Sequence, residues 1–479
     1  MAELQQSRSF KLKQVIVEDK TGNTYNITGL VASFTYGEKV TSPFVMGSLV
    51  IVDSAGAFNL IKYSGGEKIT ITLTDVIKNA TDADDQTYDL RVWKVANRFV
   101  KEKKQHYTLG LISKVANRFV KEKKQHYTLG LISTEALVNE GARVATPLTG
   151  KPEQIIEDTL IKEYLKSEKK LFSDPSEFEV KLLPNRRRPF EIANALTTKA
   201  IPQQKKWGAS SGVSGNNSVD NINGTAGYFF WESSRGYNFY SVDSLCKLDD
   251  EDRPAWGPYV EDEANKEGSD EQLVVIDASF TSEVDVMTNL RGGKYATLMV
   301  FFNPSTGQYD EYTYKLKDSY EKMEHLGSGE LDLIPSTEID LSDYPTRYMS
   351  TILDHETWFS GSTPGSPEPE DGSSAPSPYA DWQKYFMAQS ISRYTTLRNQ
   401  QCTVTIPGNS DICAGDRIEI KLKNKVPGVD MNNEPFDLES SGVYLVNEVT
   451  HDYDTSKGTN GIFATTLRLF RDAFGTPDK

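Results

Sequence analysis

Apolar and polar residues alternate with a period of two near both ends of the chain and shift towards helical spacing in its middle. Phe10, Leu12, Gln14 and Ile16 alternate before Asp19-Lys20-Thr21-Gly22-Asn23, a turn whose Gly and Asn accept positive φ. Phe44 to Asp53 places Leu49 and Ile51 on one strand face, and Ala55 to Ile61 has helical spacing with Ser54 as its N-cap. After Gly65-Gly66, the run Glu67 to Leu73 turns Ile69, Ile71 and Leu73 inward and its threonines outward onto a half-wet face. This opening predicts a barrel or sandwich rather than an α/β nucleotide-binding domain.

In the middle, Ile156, Leu160, Ile161, Tyr164 and Leu165 predict a helix that begins near Pro152. Phe190, Ile192, Ala193, Leu196 and Ala200 predict a second over Pro189 to Ile201. Tyr228-Phe-Phe-Trp-Glu, the turn Ser-Ser-Arg-Gly236 and Tyr237-Asn-Phe-Tyr read as a β-hairpin. Two stretches lack the residues to bury a core. One is the Gly/Ser/Asn-rich loop from Gly208 to Gly227; the other, Ser360 to Ser377, has the composition of a flexible linker. Ser377-Pro378 then supplies the N-cap and first residue of a helix over 378–398 that carries Trp382, Phe386, Ile391 and Tyr394.

Two internal repeats bear on organisation. Lys94–Ser113 recurs without a difference as Lys114–Ser133, the mark of a very recent duplication or of a sequence-assembly artefact. Each copy reads as strand, Lys-rich turn, strand. The second repeat is looser. Gly66-Glu-Lys-Ile-Thr-Ile-Thr-Leu73 and Gly415-Asp-Arg-Ile-Glu-Ile-Lys-Leu422 share the pattern glycine, acid, base, Ile-x-Ile-x-Leu. It predicts one barrel type used twice, once towards each end.

Composition narrows the function. At 479 residues the chain is too long for one core, and no apolar run approaches the roughly 20 residues of a membrane span. The N-terminus has no apolar signal core, so nothing points to Sec export. Cys246, Cys402 and Cys413 form no CxxC pair and read as reduced thiols of a protein assembled in a cytoplasm. A formal charge of −15 excludes a nucleic-acid-coating role but not a passage through which DNA slides.

Candidate chemistry is sparse. His106 and His126 are one residue duplicated, while His325, His355 and His451 lie in unrelated segments without metal-ligand spacing. Asp354-His355-Glu356 reads as a solvated helix end, because neighbours in sequence diverge around a helix. Gly65-Gly66-Glu67-Lys68 opens a strand and is no phosphate cradle. Arg186-Arg187-Arg188 reads as a solvated turn or an anion contact. The sequons at Asn26, Asn79 and Asn223 mean nothing without export. No catalytic, cofactor-binding or metal residue is expected, and no cofactor.

Several segments resemble the central hub protein of T-even-type contractile-tailed bacteriophage baseplates. They are Gly47-Ser-Leu-Val-Ile-Val-Asp53-Ser54, the Gly66-Glu67 strand, Arg91-Val-Trp with one hairpin copy, and Tyr228-Phe-Phe-Trp. Tyr385-Phe-Met-Ala-Gln-Ser, Cys402-Thr-Val-Thr-Ile-Pro-Gly408 with Gly415-Asp-Arg-Ile, Gly442 to His451 and Thr466-Leu-Arg-Leu-Phe470 complete the series. Each motif alone is weak, and their shared order is the stronger signal. The second hairpin copy, the Gly208–Gly227 loop and the Ser360–Ser377 linker depart from the family.

The resemblance implies a mainly β (α+β) fold: two related antiparallel β-barrel domains, an inserted mixed α/β domain and a helical insertion. The expected division is a first barrel at 8–134, containing the duplicated hairpin 94–113/114–133, and a mixed domain at 135–260. The second barrel takes 261–304 plus 402–474, and the insertion takes 305–401. It further implies a structural, non-enzymatic homotrimer. Its pseudo-six-fold ring joins the tail tube to the spike, contacts other baseplate proteins and lets DNA pass; the net charge of −15 per chain adds the expectation of a predominantly acidic channel. The place is the virion tail baseplate, assembled in the host cytoplasm without membrane insertion. The rival readings are a tail adhesin that binds cell-surface glycan through exposed aromatics such as Trp231 and Tyr237, and a tail-associated cell-wall hydrolase built on a carboxylate pair.

Overall fold

The computed structural model describes residues 10–75, 85–111, 114–176, 179–202, 226–261, 273–282, 285–303, 308–327, 331, 341–352, 378–425, 436–455 and 461–475. Asp354-His355-Glu356, the Ser360–Ser377 segment and nearly all of the Gly208–Gly227 loop lie outside them. The fold is mainly antiparallel β.

The first sheet contains β1 (Phe10–Glu18), β2 (Thr24–Asn26), β3 (Val31–Lys39), β4 (Met46–Asp53), β5 (Lys68–Asp75), β6 (Gln86–Leu111) and β7 (Lys114–Ile132), with helix α1 (Ala57–Ile61) after β4. Its order is β3-β4-β7-β6-β5-β1-β2, curled around Leu49, Ile51, Ile69, Ile71, Leu73 and Leu129. Inward alternation along β4 and β5 is as expected, but β1 changes phase. An irregularity between Leu12 and Gln14 against β5 puts Lys13 out of step, so Val15 and Val17 face the core in place of Gln14 and Ile16. The α1 turn is capped by the Asp53 carboxylate, which accepts from the amides of Ala55, Gly56 and Phe58, and not by Ser54.

The exact repeat folds differently from two hairpins. β6 runs through the first copy and β7 through the second, and they pair antiparallel from Arg91↔Ile132 to Leu111↔Lys114. The Lys-rich segments lie inside the strands, Lys101 opposite Lys124, because each copy finds in the other the partner it would otherwise find in itself. Of the repeat, the end of the second copy fills the barrel positions: Tyr127, Leu129 and Leu131 are fully buried, beside Val92 just ahead of the first copy and the partly buried Val95 at its start.

Next come α2 (Thr134–Gly141), β8 (Leu148–Gly150), α3 (Pro152–Gln154), β9 (Leu171–Ser173), β10 (Val180–Leu182), α4 (Pro189–Thr197), the hairpin β11 (Tyr228–Ser233) and β12 (Gly236–Ser241), and α5 (Val242–Cys246). After α3 the chain continues as a π-helix over Ile155–Tyr164, where Ile155, Leu160 and Leu165 recur every five residues along the buried side. These pieces share a core of Ile156, Leu160, Phe190, Leu196, Phe230 and Phe239.

The rest of the chain supplies β13 (Trp256–Val260), β14 (Asp277–Ser282), α6 (Val286–Gly292), β15 (Ala296–Asn303), β16 (Gln308–Lys315), β17 (Arg347–Ile352), α7 (Pro378–Leu397), β18 (Gln400–Pro407), β19 (Arg417–Lys421), β20 (Gly442–Asp454) and β21 (Ile462–Arg471). A second sheet runs β13-β19-β20-β21-β18-β14 around Val404, Ile418, Ile420, Tyr444, Leu467 and Leu469. Its membership departs from the expected boundaries at two places. Trp256–Val260, expected in the mixed domain, pairs with β19, and it does so in parallel. Ala296–Asn303, expected in the second barrel, pairs with β16 and β17 in a separate sheet. There Met299 and Phe301 pack with Tyr314, Leu316 and Ala388. The two large sheets are not separate bodies, because β20 pairs with β3 and joins them edge to edge.

Candidate assembly site at the joined sheet edges

The quiet repeat has a physical cause. Gly66 and Gly415 adopt φ +90° and +91°, open to glycine and strained for other residues. In the first sheet the Gly66 amide donates to Val92 O and the Val92 amide to Glu67 O; in the second, Gly415 donates to Val446 O and Val446 to Asp416 O. The acid closes each turn from three residues back: Glu67 accepts from the Ser64 amide at 2.8 Å and Asp416 from the Cys413 amide at 3.0 Å. Glycine followed by an acid is therefore required where each of these strands begins, and Ile-x-Ile-x-Leu follows because only one face is buried.

The correspondence extends through both sheets. In chain order, β3, β4, β5, β6 and β7 occupy the same places and run in the same senses in the first sheet as β14, β18, β19, β20 and β21 in the second; β1 and β13 flank β5 and β19 alike, but β1 is antiparallel and β13 parallel to its neighbour. Ile69↔Leu90 matches Ile418↔Tyr444, Val92↔Leu131 matches Val446↔Leu469, and Leu49↔Leu129 matches Val404↔Leu467. Both β6 and β20 carry a bulge at the same rung, between Val92 and Lys94 and between Val446 and Glu448. A one-residue irregularity repeated in place is more specific than alternation, which any amphipathic strand shares.

At the joint, Glu448 to Asp454 of β20 pair with Lys39 to Ser33 of β3. Beneath it lies a buried carboxylate, Glu38. It accepts from the Tyr36 hydroxyl at 2.9 Å, the Ser234 amide at 2.6 Å and the Ala414 amide at 3.0 Å, tying β3, the β11–β12 turn and the loop before β19 together. Burial raises its pKa to about 7, and the three donors hold back a larger rise. Arg235 clamps both Asp416 oxygens at 2.8 Å, and Trp256 donates to the same carboxylate. Nearby, Lys169 bridges Glu135 at 2.7 Å and Glu232 at 2.5 Å, linking α2 to β11. On the far side, Arg393 of α7 is fully buried against Asp472 and Asp243. These groups fix the parts of the chain to one another.

The residues singled out by sequence are dispersed. His325 contacts Asp472 and the Tyr320 carbonyl; His451 is buried beside Thr465, with its pKa pushed down to about 4 by burial. Among the described residues no group of His, Cys, Asp or Glu could hold a metal ion. Cys246, Cys402 and Cys413 are buried and unbridged. Arg187 bridges Val144, and Arg188 pairs with Glu140 and starts α4, so two members of the arginine run have structural contacts. Glu419 and Lys421 form a pair at 3.6 Å on the outer face of β19. Trp231 and Tyr237, the exposed glycan platforms of the adhesin reading, are 1% and 0% exposed. Trp231 donates to the Ala414 carbonyl against the Cβ-less Gly415, and Tyr237 stacks on Phe230. Sequence reasoning overlooked Glu38, whose neighbours in space come from residues 234 and 414; no local pattern announces it.

No family model and no curated protein matches the chain. Among solved structures, the tail protein from Neisseria meningitidis MC58 is similar over 97% of each chain, at 10% identity and a TM-score of 0.48. The 43 kDa tail protein of prophage MuSo2 from Shewanella oneidensis is similar over 97% of this chain and 100% of that one, at 8% identity and 0.44. The E. coli c3393 protein, a component of the type VI secretion system, is similar over 98% of this chain and 79% of that one, at 9% identity and 0.37.

Proposed function

We propose that the chain is a structural, non-enzymatic hub subunit of a contractile phage tail baseplate. Three copies form a ring that joins the tail tube to the central spike and lets the genome pass. The observation that supports it most is the use of one five-strand antiparallel plan twice in a chain, with the two sheets joined edge to edge. A closed ring reuses an interface at each step. Three chains with two similar blocks each meet a six-fold tube on one side and a three-fold spike on the other. The collinear resemblance to the phage hub family runs through the same strands.

In this reading 8–134 is the first tube-type unit, 135–255 the mixed domain, 256–295 plus 402–474 the second tube-type unit, and 296–401 the insertion. The spike, the tail tube and other baseplate proteins are the partners, and the virion tail is the location. The strand faces turned away from the two cores would line the passage. They carry Thr35, Ser48, Thr403, Thr405 and Thr466, and Glu448 sits between Lys39 at 3.6 Å and Arg468 at 3.4 Å. The proposed wall is thus hydroxyl-rich with balanced charge at this point, rather than wholly acidic. Light scattering of the purified chain should give three times its 53.6 kDa mass. A monomer or a dimer overturns the hub reading.

A further inference from the structure

The β3–β20 joint is made once within the chain, and its counterpart is left open at both ends. By the strand correspondence, β14 stands for β3 and β6 stands for β20. Among the described residues β14 pairs with β18 alone, and past Arg91 the edge of β6 that faces away from β7 pairs with no strand. Equivalent positions differ in cover. Asn447, the bulge residue of β20, is 5% exposed at the joint, whereas Trp93, the bulge residue of β6, is 50% exposed. Asp277 and Ser279 on β14 are exposed as well.

We infer that β14 of one copy adds antiparallel to the open edge of β6 in a second copy, repeating the internal joint. This inference rests on the ring reading and supplies its contact. The register carries over from the pairs observed within the chain. Ala278 faces Val404 as Phe34 faces Leu49, so Asp277, Ala278 and Ser279 take the places of Ser33, Phe34 and Thr35. Phe99 faces His126 as Asp452 faces Ala464, so Phe99, Val100 and Lys101 take the places of Asp452, Tyr453 and Asp454. The internal rungs Asp452↔Thr35 and Asp454↔Ser33 therefore become Phe99 opposite Ser279 of the second copy, and Lys101 opposite Asp277 of the second copy. The last rung places opposite charges across from each other, a favourable cross-strand pair.

A second observation supports this register independently. Between the rungs equivalent to Thr450 and Asp452, β6 has two residues, Asn97 and Arg98, where β20 has His451 alone. Between the rungs equivalent to Gly37 and Thr35, β14 likewise has two, Phe280 and Thr281, where β3 has Tyr36 alone. Each open edge carries one extra residue, and at the same rung. Either irregularity alone would throw such a joint out of step by one residue, which in a strand exchanges the faces. Together they restore it.

The test uses the full chain carrying Phe99→Cys and Ser279→Cys. Side chains directly opposite across strands are close enough for a disulfide after small adjustments. Oxidation should give covalent dimer and trimer bands on a non-reducing gel, which disappear with reductant. Phe99→Cys with Ala278→Cys, one rung out and on the opposite face, should cross-link at least about ten-fold less. As a further readout, Lys101→Asp should weaken the trimer in dilution series, and adding Asp277→Lys should restore it. A trimer by mass without the Phe99–Ser279 cross-link, and without charge-swap rescue, overturns this pairing and leaves the ring reading standing. A monomer by mass overturns both.

Discussion

Deleting residues 114–133 should leave the protein folded and assembled. Because the two copies are identical, removing either one yields the same chain, with Tyr107, Leu109 and Leu111 taking the slots of Tyr127, Leu129 and Leu131. Those slots are 1%, 0% and 0% exposed, so the core keeps every apolar side chain it had. The change of 20 residues is even and preserves strand phase. The observed pairing also shows how the shortened hairpin closes. Val100 faces Gln125 and Lys101 faces Lys124; in one copy these become Val100 opposite Gln105 and Lys101 opposite Lys104, with Glu102-Lys103 as the turn. A two-residue turn without Gly or Asn is not the favoured kind, so a cost of about 1 kcal/mol is reasonable. That corresponds to a Tm shift of roughly 2–4 °C in a unit of this size. Had both copies been core, losing three buried side chains at about 1.5–3 kcal/mol each would remove roughly 5–9 kcal/mol, comparable to a whole domain's stability. Thermal unfolding by circular dichroism, with light scattering for mass, distinguishes the two. Loss of the cooperative transition, or a fall of more than about 10 °C, would refute the reasoning.

Glu38→Gln should destabilise by about 1–3 kcal/mol, since the amide nitrogen meets a backbone donor where the carboxylate had accepted one. In the parent, the folded pKa of about 7 lies above the ordinary value of 4.5. The folded state therefore holds a proton the unfolded state releases, and stability should fall as pH rises from about 4.5 to 7, by up to about 3 kcal/mol. Urea titrations across that range should show the slope in the parent and a flatter one in the variant. Gly66→Ala should cost about 1 kcal/mol, because its φ is +90° but the space is open; Gly415→Ala should cost about 3 kcal/mol or more, because its Cβ would meet Trp231. A similar denaturation midpoint for the two variants would contradict this. Cutting the chain at a protease site placed within 360–377 should leave both pieces together on a sizing column, since β14 before the cut pairs with β18 after it. Separation of the pieces would show that this pairing does not hold them.

What is legible in the sequence is what local chemistry demands. Ile69, Ile71 and Leu73 can be placed because a strand with one buried face alternates, and Gly66-Glu67 matches Gly415-Asp416 because the same turn needs the same glycine and the same acid. What escapes depends on distant partners. The phase of β1 changes at a bulge against β5, and nothing near Lys13 marks it. Ala296–Asn303 alternates like any strand, and only its neighbours assign it to a third sheet. The Lys-rich segments read as turns because a single copy would turn there; the second copy offers a longer ladder. Trp231 and Tyr237 escape for the same reason, since residues 414 and 230 decide their exposure.

The long strand β20 carries a mechanical consequence. Its first residues pair with β19 and its last seven with β3, so one uninterrupted backbone belongs to both cores. Sliding one sheet along the other would load the seven β3 rungs together in shear, while prying the sheets apart from one end would load them in turn. A subunit of this design resists thrust along its strands better than peeling across them. Stress entering one core is passed to the next along a peptide chain rather than across a loop.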